Sequence, residues 1–107
     1  MIVKAYQTAF HREGEVKIRQ ITIPDEEVPE AASEENTQAL LERAFYYGQN
    51  DFQPVQGFYS VSVGDVVELN NGQRFRVLGA GWEELDADED PTVLLGQNAR
   101  DQAYGVL

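Results

Sequence analysis

The chain has 107 residues, no cysteine and a formal net charge of −11, from 19 acids and 8 bases. This length predicts one domain, and the lack of cysteine excludes disulfides, thiolate catalysis and zinc–thiolate sites. The negative charge disfavours binding to nucleic acids and to anionic membranes, because phosphates would be repelled. The same charge favours a basic protein partner.

No apolar run approaches the ~20 residues that a membrane-spanning helix needs. The first ten residues lack the basic segment and the long apolar core of a signal peptide. Together with the absence of cysteine, these features predict a soluble, cytoplasmic protein.

Two strands are predicted near the N-terminus, over residues 2–8 and 15–23, and we expect them to pair as an antiparallel hairpin. In the second strand, strict alternation puts the apolar residues before and after Arg19-Gln20 on opposite faces. A bulge near Arg19 and Gln20 would bring these apolar residues onto one face, so we expect one there.

Residues 24–35 contain two prolines and many acids, which predicts an acidic connector loop. This loop leads to the best helix candidate, about Glu34 to Tyr47, whose apolar residues recur at helical spacing. Ser33 or Asn36 can cap the start of the helix, and Gly48 is well placed to end it.

The clearest signal is a hairpin around Asn70-Asn71-Gly72. A two-residue loop would pair Glu68 with Phe75 and would mix polar and apolar residues on both faces. A three-residue loop pairs Glu68 with Arg74 and separates the two kinds of residue, which is what sets strand register. It also places Gly72 where a left-handed residue is needed. The predicted core face is Val67, Leu69, Phe75 and Val77, and the predicted polar face is Val66, Glu68, Arg74 and Arg76.

Strands that cluster as hairpins, rather than alternating with helices, favour an α+β fold. We expect one principal helix packed on a mostly antiparallel β-sheet, in a single domain that spans residues 1–107. The sheet is predicted from residues 2–8, 15–23, 65–69 and 73–79. An acidic loop follows at 86–91, and the tail at 92–107 gives little secondary-structure signal.

Two acidic runs contain no base. The first comprises Asp25, Glu26, Glu27, Glu30, Glu34 and Glu35, and the second comprises Glu83, Glu84, Asp86, Asp88, Glu89 and Asp90. Such runs are typical of solvated loops. A basic partner would also be attracted to them.

Catalytic and metal-binding patterns are weak in this sequence. The sole histidine, His11, lies in a predicted turn, and no nucleophile-elbow motif surrounds Ser60. The run from Asp86 starts as a calcium loop does, but Pro91 and Gln97 occupy positions where an EF-hand needs Gly and Glu. We therefore predict no catalytic, cofactor-binding or metal-binding residue.

A few residues are candidates for binding a partner. Asp51 and Asp65 have structured or apolar neighbours, although turn capping is the more ordinary role for such acids. Trp82, the only tryptophan, is predicted either to close one end of the sheet or to anchor a partner. The full set of candidate interaction residues is Asp51, Phe52, Asp65, Trp82, Glu83, Glu84, Asp86, Asp88 and Asp90.

The segment Tyr59-Ser60-Val61-Ser62-Val63-Gly64-Asp65-Val66-Val67 is followed by Phe75-Arg76-Val77 and then Gly81-Trp82. This order resembles the S-x-SVGDVV strand, turn, aromatic-rich strand and Gly-Trp/Phe order of a group of small uncharacterised proteins of bacteria, phages and plasmids. The resemblance covers about a third to a half of the chain and implies relatedness, but it carries over no activity. The V-G-D-V-V step is also similar to a barrel strand of PUA-like domains. Those domains usually bind nucleic acid through basic surfaces, and the acidic charge of this chain argues against that function.

These observations favour a non-enzymatic, acidic protein-interaction or accessory module associated with a mobile element. Two alternatives stay open. One is a DNA mimic that inhibits a DNA-binding protein, which needs ordered carboxylates at regular spacing on one face. The other is a small carboxylate- or metal-dependent enzyme using Asp51, Asp65 or the 86–90 cluster, which needs a perturbed carboxylate in a concave pocket.

Overall fold

The computed structural model describes residues 1–7, 17–29, 34–53 and 58–86. In these residues one helix packs against a five-stranded antiparallel sheet, which confirms the predicted α+β fold. The strands are β1 (Ile2–Gln7), β2 (Lys17–Thr22), β3 (Val66–Glu68), β4 (Arg74–Val77) and β5 (Trp82–Leu85), in the spatial order β2-β1-β3-β4-β5. A short 3₁₀ helix, Asp25–Glu27, lies within the predicted connector and precedes helix α1, Glu34–Tyr47. The turn predicted around His11, most of the 86–91 loop and the 92–107 tail lie outside the described residues.

Strands β1 and β2 pair without a bulge, so the expectation of one near Arg19 and Gln20 is wrong. Buried and exposed residues alternate from Ile18 to the end of β2, because Arg19 rather than an isoleucine takes the core-face position before Ile21. Ile18 lies on the opposite face and is 50% exposed. A buried arginine is tolerated here because its guanidinium finds hydrogen-bond acceptors in the loops described below.

The three-residue loop between β3 and β4 is confirmed. Glu68 lies opposite Arg74, and the Leu69 amide donates to the Gln73 carbonyl at 2.8 Å. Gly72 has a φ of 90°, the left-handed conformation that the loop requires. All four residues of the predicted core face, Val67, Leu69, Phe75 and Val77, are buried.

The predicted polar face of this hairpin is more buried than the sequence suggests. Val66 and Arg76 are 0% and 4% exposed, respectively, although both belong to the predicted polar face. The Arg76 guanidinium donates to the Gly64 carbonyl at 2.8 Å. Only Glu68 and Arg74 of this set are partly exposed, and they form an ion pair at 3.1 Å.

Strand β5 is not among the strands that the sequence predicts. The chain reverses after β4 through a turn in which the Leu78 amide donates to the Gly81 carbonyl at 3.1 Å. Gly81 has a φ of 88°, a conformation that glycine adopts readily because it has no β-carbon. The turn returns the chain antiparallel to β4, so that Trp82 lies opposite Val77.

Helix α1 has the predicted bounds and contributes Leu40, Leu41 and Ala44 to the core. Gly48 follows its last residue but is not among the positive-φ glycines of the described chain. Its role is therefore close packing, against Val61, rather than a left-handed helix end. Within the described residues, no helix has the length and apolar character needed to cross a membrane.

Candidate functional site

A groove of about 870 Å³ opens between the first half of α1 and the β3–β4–β5 end of the sheet. We call it the Trp82 groove. Its apolar lining is Leu41, Phe75, Ala80, Gly81 and Trp82, and its polar lining is Thr37, Gln38, Asn71, Gln73 and Glu84. A concave site that combines aromatic surface with a few polar groups is the usual form of a binding pocket.

The register of β5 explains how a tryptophan and a carboxylate come to line the groove together. Trp82 and Glu84 are alternate residues, so both lie on the face of β5 that carries the core. They pair with Val77 and Phe75, which are core residues of β4. At this end of the described sheet the core face is open enough that Trp82 is only partly buried and Glu84 is exposed.

The indole of Trp82 is held by the helix. Phe45 of α1 meets it edge-to-face, with ring centroids 6.4 Å apart and an interplanar angle of 83°. This is a favourable geometry for two aromatic rings. Trp82 therefore closes the β5 end of the core while part of its surface lines the groove.

Two amides form a rim of the groove at the β3–β4 turn. The Asn71 side-chain amide donates to Gln73 Oε1 at 2.8 Å, and the Gln73 backbone amide donates to Asn71 Oδ1 at 3.0 Å. These bonds fix the two side chains relative to each other. Each amide oxygen has a second lone pair with which it can accept a further hydrogen bond.

A separate polar cluster is buried at the β2 side of the sheet. Arg19 donates to Asn50 Oδ1 at 2.8 Å, to the Tyr59 carbonyl at 3.0 Å and to the Gln53 carbonyl. The Gln7 amide donates to the same Tyr59 carbonyl at 2.6 Å. Desolvation by burial lowers the pKa of Arg19 from its ordinary value. The cluster ties the loops on either side of residues 54–57 to β1 and β2, which is a structural role.

Asp65 immediately precedes β3 and is fully buried. Its carboxylate accepts hydrogen bonds from the Tyr59 hydroxyl and from the Ser62 backbone amide, both at 3.0 Å. Its own backbone amide donates to the Ser62 carbonyl, which closes a turn. Asp65 thus has the geometry of a turn cap, and it is not among the residues that line the Trp82 groove.

Asp51 and Phe52 lie in the turn after α1, away from the groove lining. Phe52 is 51% exposed and stacks on Tyr46, with ring centroids 4.1 Å apart. Tyr46 in turn meets Tyr47 edge-to-face. The stacking accounts for the position of the Phe52 side chain without any ligand.

Two carboxylates of the first acidic run, those of Asp25 and Glu27, bond to groups nearby in the fold. Asp25 accepts a hydrogen bond from the N-terminal amine at 3.1 Å. Glu27 pairs with Arg43 at 3.3 Å and accepts a hydrogen bond from the Tyr47 hydroxyl. That hydrogen bond to Glu27 is the main reason that the pKa of Tyr47 is raised above its ordinary value.

Among the described residues of the second acidic run, only Glu84 lines the groove. Glu83 lies opposite Arg76 on the other face of β5, and Asp86 is exposed at its end. The predicted candidates Asp88 and Asp90 lie outside the described residues. Among the residues that the structure does describe, no three His, Cys, Asp or Glu side chains are grouped as a metal site would need.

The structure therefore brings together two of the predicted interaction residues, Trp82 and Glu84, and places Asp51, Phe52 and Asp65 elsewhere. Sequence reasoning did not identify the groove residues of α1 and of the β3–β4 turn. The polar character of Thr37 and Gln38 is ordinary for an exposed helix face, so no local signal distinguishes them. Comparisons with protein-family models, with curated proteins and with solved structures find no match for this chain.

Proposed function

We propose that this protein is a non-enzymatic interaction module that binds a segment of a partner protein in the Trp82 groove. The observation that carries the proposal is the placement of Trp82 on an open core-face position, partly buried and beside exposed Glu84. An aromatic side chain that is held by the fold and still reaches a groove is the usual anchor of a protein interface.

The lining of the groove supports a protein segment as the ligand. Trp82, Phe75 and Leu41 supply apolar area, and the amides of Asn71 and Gln73 supply donors and acceptors beside it. An apolar centre with a polar rim is the general anatomy of interfaces between proteins. The volume of about 870 Å³ is within the ~300–1,000 Å³ of ordinary ligand pockets and accommodates several side chains.

The other two hypotheses have less support from the geometry. A DNA mimic needs a regular array of carboxylates on one face, but Glu83 and Glu84 point to opposite faces of β5. An enzyme that uses Asp65 needs this carboxylate in a pocket, but it caps a turn instead. The association with a mobile element agrees with the occurrence of the resembling proteins in phages and plasmids, and it is part of the proposal.

A peptide-display selection tests the proposal, with the wild-type protein as bait. Selected peptides are then measured against two variants with the same chemical change. Gln38→Arg adds a long side chain at the groove, and Gln20→Arg adds one at an exposed position of β2, on the opposite sheet face. Both positions are exposed, so we expect both variants to fold.

The expected result is that Gln38→Arg weakens binding of the selected peptides by about tenfold or more, because it removes about 1.4 kcal/mol or more of binding energy. Binding to Gln20→Arg should stay at the wild-type level. Selected peptides that bind both variants equally well would show that the groove is not the binding site. A selection that enriches no peptide at all would contradict the interaction function of this site.

A further inference from the structure

We propose that the Trp82 groove binds an arginine side chain of the partner, with its guanidinium stacked on the Trp82 indole and paired with the Glu84 carboxylate. The inference rests on the proposed function and deepens it by naming the chemistry of the partner: a basic segment with an arginine anchor. It makes Glu84 the residue that selects the ligand and Trp82 the residue that supplies the contact surface.

The charge around the groove points to a cation. Among the described residues that line the groove, Glu84 is the only charged one, and no lysine or arginine is present. The ion pairs of the described chain do not involve Glu84 either. The chain as a whole carries a net charge of −11, so a basic segment is also drawn towards it at long range.

The arginines of the neighbouring strand do not neutralise Glu84, because strand alternation puts them on the other face. Phe75, opposite Glu84, is flanked by Arg74 and Arg76. Arg74 is engaged with Glu68 at 3.1 Å, and Arg76 donates to the Gly64 carbonyl. Among the described residues, no base of the neighbouring strand faces the Glu84 carboxylate on the groove side of the sheet.

Arginine fits this lining better than lysine does. A guanidinium is planar and stacks on an indole, and it presents five N–H donors in a fixed arrangement. Glu84 supplies carboxylate acceptors, and the amide oxygens of Asn71 and Gln73 supply further acceptors at the rim. A lysine ammonium is a compact point charge that uses fewer of these acceptors at once.

The dipole of α1 opposes the binding of a cation, but its effect is weak at the groove. Its positive end disfavours a cation, and this effect falls off within the first turn. The helix begins at Glu34, so Thr37 ends that turn and Gln38 lies beyond it. Glu35, an exposed acid within the first turn, offsets the dipole further.

The fluorescence of Trp82 gives a direct assay, because it is the only tryptophan in the chain. The probes are three blocked pentapeptides, Gly-Gly-X-Gly-Gly, in which X is arginine, citrulline or glutamate. Citrulline has nearly the shape of arginine and no charge, so the pair isolates the contribution of the cation. We expect saturable changes in emission, with the arginine peptide bound about two- to five-fold more tightly than the citrulline peptide.

Two glutamates that are adjacent in sequence give matched variants. Glu84→Gln removes the groove carboxylate, and Glu83→Gln makes the same change on the opposite face of β5. We expect Glu84→Gln to weaken the arginine peptide by about two- to five-fold and to leave the citrulline peptide unchanged. Glu83→Gln should leave the affinities for both peptides at their wild-type values.

The outcomes separate this inference from the proposed function. Equal binding of the arginine and citrulline peptides, equal effects of Glu84→Gln and Glu83→Gln, or tightest binding of the glutamate peptide would each overturn the arginine assignment. If display-selected peptides still bound the groove in that case, the interaction function would stand. If neither these probes nor any selected peptide changed Trp82 emission, both proposals would be wrong.

Discussion

A β-carbon added to Gly48 would lie 2.5 Å from Cγ2 of Val61, much closer than side chains approach each other in proteins. The Val61 amide also donates to the Gly48 carbonyl at 3.1 Å, so the two backbones are held together. Val61 is 1% exposed, and the neighbouring Ala44 carbonyl would lie 2.9 Å from the same β-carbon. The end of α1 thus packs against this segment because residue 48 has no side chain.

We expect Gly48→Ala to lower the free energy of unfolding by about 1–3 kcal/mol, because it overpacks a buried contact. In an unobstructed helix the same change would stabilise by about 1 kcal/mol. Urea denaturation measures the difference. Val61→Ala should partly rescue Gly48→Ala in a double-mutant cycle, because it removes the shortest contact and leaves the one with the Ala44 carbonyl. It should not rescue Gly72→Ala, where φ is 90° and no atom lies within 4 Å of the added β-carbon. Additive effects of Gly48→Ala and Val61→Ala would contradict the clash.

Arg19 contributes to stability through its buried hydrogen bonds. We expect Arg19→Met to lower the free energy of unfolding by about 2–4 kcal/mol, because the acceptors on Asn50, Gln53 and Tyr59 lose a charged donor. Arg43→Met is the control, since its exposed ion pair with Glu27 contributes about 1 kcal/mol at most. Thermal or urea denaturation measures both. Equal losses in the two variants would show that the buried cluster is not stabilising.

Asp65 should be important for stability, not for binding. Asp65→Ala removes the buried carboxylate that accepts hydrogen bonds from the Tyr59 hydroxyl and the Ser62 backbone amide, and we expect a loss of about 2–4 kcal/mol. Asp51→Ala, at an exposed position, should change the free energy of unfolding by less than about 0.5 kcal/mol. Chemical denaturation compares the two, and a small effect of Asp65→Ala would contradict the turn-cap role.

Tyr6 should give a pH dependence at alkaline pH. Burial, and then the hydrogen bond and the negative charge of Glu68, raise its pKa above the ordinary value of 10.0. Because the folded-state pKa is the higher one, the stabilisation is fully present below pH 10 and is lost as the pH rises through the folded-state pKa. We therefore expect the free energy of unfolding to fall more steeply above pH 10 in the wild type than in Tyr6→Phe.

NMR titration of a labelled tyrosine ring measures the pKa of Tyr6 directly. Glu68→Gln should lower this pKa, because it removes the negative charge of the carboxylate whose Oε2 accepts a hydrogen bond from the Tyr6 hydroxyl at 3.1 Å. Arg43→Gln, which changes a charge on α1 away from this pair, should not shift it. Parallel unfolding curves of the wild type and Tyr6→Phe above pH 10 would contradict the assigned coupling between Tyr6 and folding.

The site itself is only partly predictable from the sequence. Trp82 and Glu84 can be selected as candidates because a lone tryptophan beside acids is conspicuous in an amino-acid sequence. The two side chains lie on one face only because residues 82–85 form a strand. The sequence does not predict this strand, because these residues show no alternating apolar pattern. Gln38 and Asn71 join them only because α1 and the β3–β4 turn lie side by side in space.

The sequence by itself determined the features that depend on short-range interactions. Helical spacing predicted α1 with its observed bounds, and the separation of polar from apolar residues around Gly72 selected the register of β3 and β4. Only the tertiary structure decided that Arg19 enters the core face, that Gly48 is needed for close packing, and that β5 opens a groove. These features depend on partners that are distant along the chain, such as Asn50 for Arg19 and Val61 for Gly48. Local periodicity carries no information about such partners, because burial, hydrogen bonding and contact distances are set when the elements pack together.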